Sequence, residues 1–161
     1  VKIQSIKQDR AILLLPIFIE MEKYYFGACD VTDEEMLAYI EESVLSDHSS
    51  IKISAIFDDN SLLGFASYAI LYPGPKQGGQ MYIKDLFISE SARGKGLGLE
   101  MMRHLAGIAV QHRCSRLDWT AESTNPTAGQ FYQSIGAELV TEKEYYRFSD
   151  KDLEALANGC N

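Results

Sequence analysis

The chain has 161 residues, 46% of them hydrophobic and 24% charged, with a formal net charge of −8. That length suits one globular domain over residues 1–161 with a core of its own, and the composition excludes an intrinsically disordered chain. The acidic balance argues against a nucleic-acid partner, whose phosphates need clustered Lys and Arg, and favours cationic ligands.

Val1 to Ile6 alternates apolar and polar residues and reads as a short strand. Asp9 to Phe26 reads as a helix, kinked or restarted at Pro16 and ended by Gly27. Thr32 with Glu35 forms a capping box for a second helix over Asp33 to Ser46. Ile51 to Phe57 and Leu62 to Leu71 are strands joined by a hairpin loop at 58–61. A turn-rich stretch from Tyr72 to Gly79 precedes a strand over Met81 to Ile88. A polar loop, Ser89 to Lys95, then leads into a helix from about Gly96 to His112. Leu97, Met101, Leu105 and Ile108, spaced by four, four and three, define its buried face.

Arg116 to Ala121 is another strand, and Asn125-Pro126 opens a helix to about Ser134. Ala137 to Val140 and Glu144 to Phe148 are expected to close the sheet as a strand pair, before a short helix over Asp150 to Ala157. The order βααβββαβαββα is that of one α/β domain. Cys29, Cys114 and Cys160 make no C-x-x-C pair, and His48, His104 and His112 no ligand cluster. Neither a disulfide framework nor a metal site is expected. The apolar run Ala11 to Ile19 is too short to span a bilayer and the opening residues are not a signal peptide. A cytoplasmic chain with no membrane partner is the expectation.

The segment Ile88 to Leu99 carries the most chemistry. A strand feeds a loop with Gly94, Gly96 and Gly98 at alternate positions, and the loop feeds a helix. Glycines allow positive φ and close approach, so successive N–H groups can turn towards an anion, aided by the partial charge of the helix start. Arg93 and Lys95 add local positive charge. A Walker loop needs Lys-Ser/Thr after the last glycine, and a dinucleotide fingerprint needs G-x-G-x-x-G at the first strand. Neither is present. The loop resembles instead the pyrophosphate loop of a known enzyme family, of the pattern Arg/Gln-x-x-Gly-x-Gly/Ala, beside the plainer reading of a glycine-rich turn with no ligand.

Arg93-x-x-Gly96-x-Gly98 matches that pattern without a gap, and Asn125-Pro-Thr-Ala128-Gly-Gln-Phe131-Tyr132-Gln-Ser-Ile-Gly136 resembles N-x-x-A-x-x-F-Y-x-x-x-G. Both are signatures of the GNAT acetyltransferases. Over nearly its whole length the chain resembles their diamine (spermidine/spermine-type) members and bacterial relatives, in Met81 to Ile88, in Arg93 to Gly98, and in the tail from Glu144 to Leu153. The resemblance implies the GNAT (acyl-CoA N-acyltransferase) fold, an α/β architecture with a mixed central sheet, a splayed strand pair and flanking helices. It implies acetyl-CoA as co-substrate, no metal, a small-molecule primary amine as acceptor, and a homodimer.

By position, the resemblance gives Leu86, Phe87 and Ile88 to the pantetheine arm through strand-edge backbone groups. Arg93, Gly94, Lys95, Gly96, Leu97, Gly98 and Leu99 would hold the pyrophosphate. Asn125 would contact the pantetheine, and Tyr132 would stand by the CoA sulfur as general acid. A main-chain N–H around Phe87 or Ile88 can serve the oxyanion. The family's strand carries Glu then Asp; here Lys84 replaces the first and only Asp85 remains to anchor or deprotonate the amine. Tyr24-Tyr25 stand where the family has an acidic residue near the end of the first helix. Both departures weigh against a polyamine acceptor. Glu22, Asp30, Asp33 and Glu122 are alternative acids. An amino acid, an aminoglycoside or a protein N-terminus as acceptor stays open, as does a non-catalytic acyl-CoA-binding module.

Overall fold

A computed structural model describes residues 1–159, in two compact units, the first Val1–Thr120 and the second beginning at Ala121. The chain opens with β1 (Lys2–Ile6), a 3₁₀ stretch (Gln8–Leu14) and α1 (Leu15–Phe26). Pro16 occupies the first turn of α1, where its missing N–H costs nothing. The break expected there is therefore a change of helix type, not a kink.

In α2 (Asp33–Tyr39) the capping box is complete: Thr32 Oγ1 accepts from Glu35 N–H, and Glu35 Oε2 accepts from Thr32 N–H at 2.8 Å. The helix is shorter than expected, because a π turn over Ile40–Val44 takes up its last residues.

The remaining elements of this unit are β2 (Lys52–Asp58), β3 (Ser61–Leu71), β4 (Gly79–Ile88), α3 (Leu97–Gln111) and β5 (Cys114–Asp118). The five strands form one sheet in sequence order, antiparallel throughout except for β4 and β5, which run parallel. The sheet is buried on both faces. Ile53, Ala55, Phe57, Phe65 and Phe87 pack with Leu14, Ile17, Phe18, Met36 and Ile40. The Leu, Ile, Phe and Met side chains among them contribute about 1.5–3 kcal/mol each when fully buried. On the other face α3 packs against β3 and β4, burying Leu97, Met101, Met102, Leu105 and Ala109. Ile108 is only half-buried; Ala109 takes the inner position expected of it.

Two local features set up the functional region. Ser67 pairs with Asp85 and Tyr68 with Ile83, so Lys84 has no opposite number and forms a β-bulge. The extra residue resets the alternation: Asp85 shares a face with Tyr82 and Phe87 instead of with Met81 and Ile83. Second, β4 pairs with β5 only through Gly79–Tyr82. A cross-strand network fastens that end, with Arg116 Nε donating to Asp118 Oδ2 at 2.7 Å, Arg116 Nη2 to Gln80 Oε1 at 2.9 Å, and Gln80 Nε2 to Asp118 Oδ2. Beyond it the strands splay, and residues 83–88 have no strand on that side among the described residues.

The second unit holds α4 (Pro126–Ser134) and α5 (Asp150–Ala157). The strand pair expected at 137–140 and 144–148 is not formed, and β5 has no second neighbour among the described residues. Leu139, Tyr145, Tyr146 and Phe148 are exposed. With neither face buried, nothing fixes a register for these residues, and two strands alone are marginal in water. Cys29 and Cys114 are free thiols, while Cys160 lies outside the described residues. No helix among the described residues is long and apolar enough to cross a membrane.

Candidate active site

The loop after β4 begins with a single 3₁₀ turn, Glu90–Ala92, and then runs exposed from Arg93 to Gly96. Gly94 and Gly96 have φ of 75° and 79°, and no atom lies within 4 Å of the place where a Cβ would stand on either. The glycines are needed for backbone direction, not for lack of space. Gly96 is the N-cap of α3 and offers no side chain to the helix start. The first paired donor there is Glu100 N–H, bonded to the Gly96 carbonyl at 3.1 Å. The N–H groups from Gly94 to Leu99 thus have no partner among the described residues. Six open donors at a helix N-terminus, with Lys95 exposed beside them, fit a multiply charged phosphate anion.

Arg93 behaves differently from Lys95. Its Nε donates to the Ile88 carbonyl at 3.0 Å, and its guanidinium stacks over Tyr24 and Phe87. The residue braces the loop against α1 and β4.

On β4, Ser89 N–H bonds the Leu63 carbonyl across β3 at 2.9 Å. The Ile88 carbonyl, on the opposite side of the same peptide plane, therefore points away from β3. By strand alternation the main-chain groups of Leu86 share that direction, and those of Phe87 turn towards β3. Of the three residues expected to offer edge groups, Leu86 and Ile88 present them on the splayed side. Phe87 instead contributes a buried ring, in contact with Tyr24 and Tyr25.

Asp85 is half-buried on the same face as Phe87. Its Oδ2 accepts from Ser67 Oγ at 2.6 Å and its Oδ1 lies 3.7 Å from Lys84 Nζ. The carboxylate is oriented by one hydroxyl and faced by one ammonium. It can accept a proton or anchor an amine only in competition with Lys84.

In the second unit Asn125 caps α4, its Oδ1 accepting from Ala128 N–H at 3.3 Å, which leaves the amide NH₂ for a ligand. Tyr132 is half-buried on α4 with its ring 5.2 Å from that of Phe131. Of the alternative acids, Glu22 is half-buried and Asp30, Asp33 and Glu122 are exposed.

Three contributors were missed from sequence. Ser67 looked like an ordinary strand residue, Glu20 binds Ser89 Oγ and Glu90 N–H, and Tyr24 receives Arg93. Only the i, i+4 placement of Glu20 and Tyr24 on one helix face was readable as a signal, and it does not say what they meet.

The sequence profile described as the Acetyltransferase (GNAT) family matches residues 15–137. Among curated proteins, thialysine N-epsilon-acetyltransferase of Bos taurus is 28% identical over 99 residues, 60% of this chain and 58% of its own. The spermine/spermidine N(1)-acetyltransferase of Bacillus subtilis (strain 168) is 28% identical over 120 residues, 70% of this chain and 79% of its own. The chain thus spans well under two thirds of the length of the bovine relative. A solved integron cassette protein from the mobile metagenome of V. cholerae is 53% identical, with a TM-score of 0.94 over 97% of this chain and 96% of that one. With the profile covering most of its length and the loop and splayed strands in place, this chain belongs to the GNAT acetyltransferase family.

Proposed function

We propose that this chain transfers the acetyl group of acetyl-CoA to a primary amine of a small molecule by direct attack. The observation that carries the reading is the row of open N–H donors from Gly94 to Leu99, which suits the diphosphate of coenzyme A. The outward groups of Leu86 and the outward N–H of Ile88, whose carbonyl is held by Arg93, suit the amide-rich pantetheine arm, and one of these N–H groups suits the developing oxyanion. An alkylammonium with a pKa of roughly 10 must lose its proton before attack. Asp85 is the group assigned to receive it, directly or through water. Tyr132 is assigned by its motif to protonate the departing thiolate. Asn125, through its free NH₂, is assigned to the pantetheine.

Family membership supports the amine acceptor, since the bovine and Bacillus relatives are named for thialysine and for spermine and spermidine. Lys84 beside Asp85 favours an acceptor with one cationic group near that carboxylate over a chain of several. One domain, from the length of the chain, in the cytoplasm, from its cysteines that make no C-x-x-C pair, completes the reading as a homodimer, which the family resemblance implies. CoA release, followed with a thiol reagent across spermidine, lysine analogues and an aminoglycoside, tests the activity. Binding of CoA without turnover of any amine would leave only a binding module, and absence of CoA binding would remove the assignment.

A further inference from the structure

Glu20 lies on α1, yet its side chain serves another element. Its Oε1 accepts from Ser89 Oγ at 3.1 Å and from the Glu90 main-chain N–H at 2.8 Å. Ser89 precedes the 3₁₀ turn Glu90–Ala92, which has no cap from its own side chain. A carboxylate arriving from about seventy residues away in sequence supplies that cap. The same turn delivers the chain into Arg93 and the donors from Gly94 to Leu99. One helical turn after Glu20, Tyr24 carries the Arg93 guanidinium at 4.6 Å. One face of α1 therefore holds both ends of the stretch 89–93.

A glycine-containing loop has many conformations to lose on closing around an anion, and fixing its entry beforehand reduces that loss. We propose that Glu20 is a positioning residue for the coenzyme loop, presetting its donors by capping Ser89 and Glu90 without touching the ligand. This rests on the coenzyme reading of the loop. The negative charge of Glu20 itself disfavours a nearby anion, so hydrogen-bond acceptance and charge predict opposite results for a neutral replacement.

Titration calorimetry with CoA, on wild type, Glu20→Gln, Glu20→Ala and Ser89→Ala, separates them. Glu20→Ala loses both bonds and is expected to weaken CoA about tenfold, a usual effect for hydrogen bonds to a charged group. Glu20→Gln keeps an acceptor oxygen and should stay within about threefold of wild type, with Ser89→Ala in between. At saturating acetyl-CoA, kcat of the Ala variant should change by less than about threefold, so that the loss sits in KM. A folded Glu20→Ala with wild-type CoA affinity overturns the proposal, as does a Gln variant weakened as much as Ala. If the Ala variant does not fold, wild-type affinity in Ser89→Ala overturns it. A wild-type chain that binds no CoA overturns the coenzyme reading first and this inference with it.

Discussion

The guanidinium carbon of Arg93 sits 4.6 Å from the ring centroid of Tyr24, while Arg93 Nε holds the Ile88 carbonyl at 3.0 Å. The arginine of the pyrophosphate motif thus joins three elements: the end of α1, the end of β4 and the loop itself. Its flat, forked head is what allows stacking and donation at once; an ammonium is a compact point charge without that geometry. Arg93→Lys keeps the charge and loses the brace. It is expected to weaken CoA about five- to thirtyfold, the range of an exposed cation–π contact plus one hydrogen bond. Tyr24→Phe, which keeps the ring, should bind CoA as wild type does. Calorimetry on both variants checks this, and equal affinities for Arg93→Lys and wild type would reduce the arginine to its charge.

Lys84 and Asp85 lead to a second expectation. Their 3.7 Å contact involves a largely exposed ammonium, so it adds little to stability. Lys84→Gln should leave the melting temperature nearly unchanged. The variant frees Asp85 for an incoming ammonium, and KM for a diamine should fall about threefold, an ordinary size for one exposed charge contact. Asp85→Asn, by contrast, should lower kcat about 10²-fold or more if Asp85 takes the proton. Ser67→Ala removes only an orienting hydroxyl and should fall between wild type and Asp85→Asn. Steady-state kinetics with one amine and one diamine distinguish these cases.

What could be read from sequence is what is encoded within a few residues. The Thr32–Glu35 capping box, the Asn125-Pro126 helix start and the left-handed glycines Gly94 and Gly96 all depend on local chemistry, and all are found as expected. The bulge at Lys84 was not legible, because strand reading assumes an unbroken period of two, and one extra residue moved Asp85 to the other face. The Glu20–Glu90 and Ser67–Asp85 contacts join residues 70 and 18 positions apart, beyond the reach of spacing arguments. The strand-like residues in 137–140 and 144–148 are compatible with strands, but pairing needs a neighbouring edge, which local composition does not supply.

Tyr132 yields a prediction that isolates chemistry from binding. Tyr132→Phe removes one hydroxyl and keeps the ring that lies against Phe131. If the phenol protonates the leaving thiolate, kcat falls about 10²-fold while acetyl-CoA affinity is unchanged. An unchanged kcat would take Tyr132 out of the mechanism. A loss confined to KM would make it a binding group.

His104 links stability to pH. It lies on α3, half-buried, with Nε2 at 3.2 Å from Ser54 Oγ of β2, and burial lowers its pKa below the ordinary 6.5. The folded chain therefore binds this proton less readily than the unfolded chain does. Well above pH 6.5 both states are neutral at this site and the histidine makes no pH-dependent contribution. As pH falls below 6.5 the unfolded state protonates first, stability drops, and the loss levels off once pH passes the folded value. Melting temperature should accordingly rise with pH through the range just below 6.5 in the wild type. His104→Gln keeps a hydrogen-bonding group for Ser54 without a titrating one, so its slope over that window should be shallower. Parallel melting curves of the two proteins check the sign: equal slopes would show that His104 titrates alike in both states.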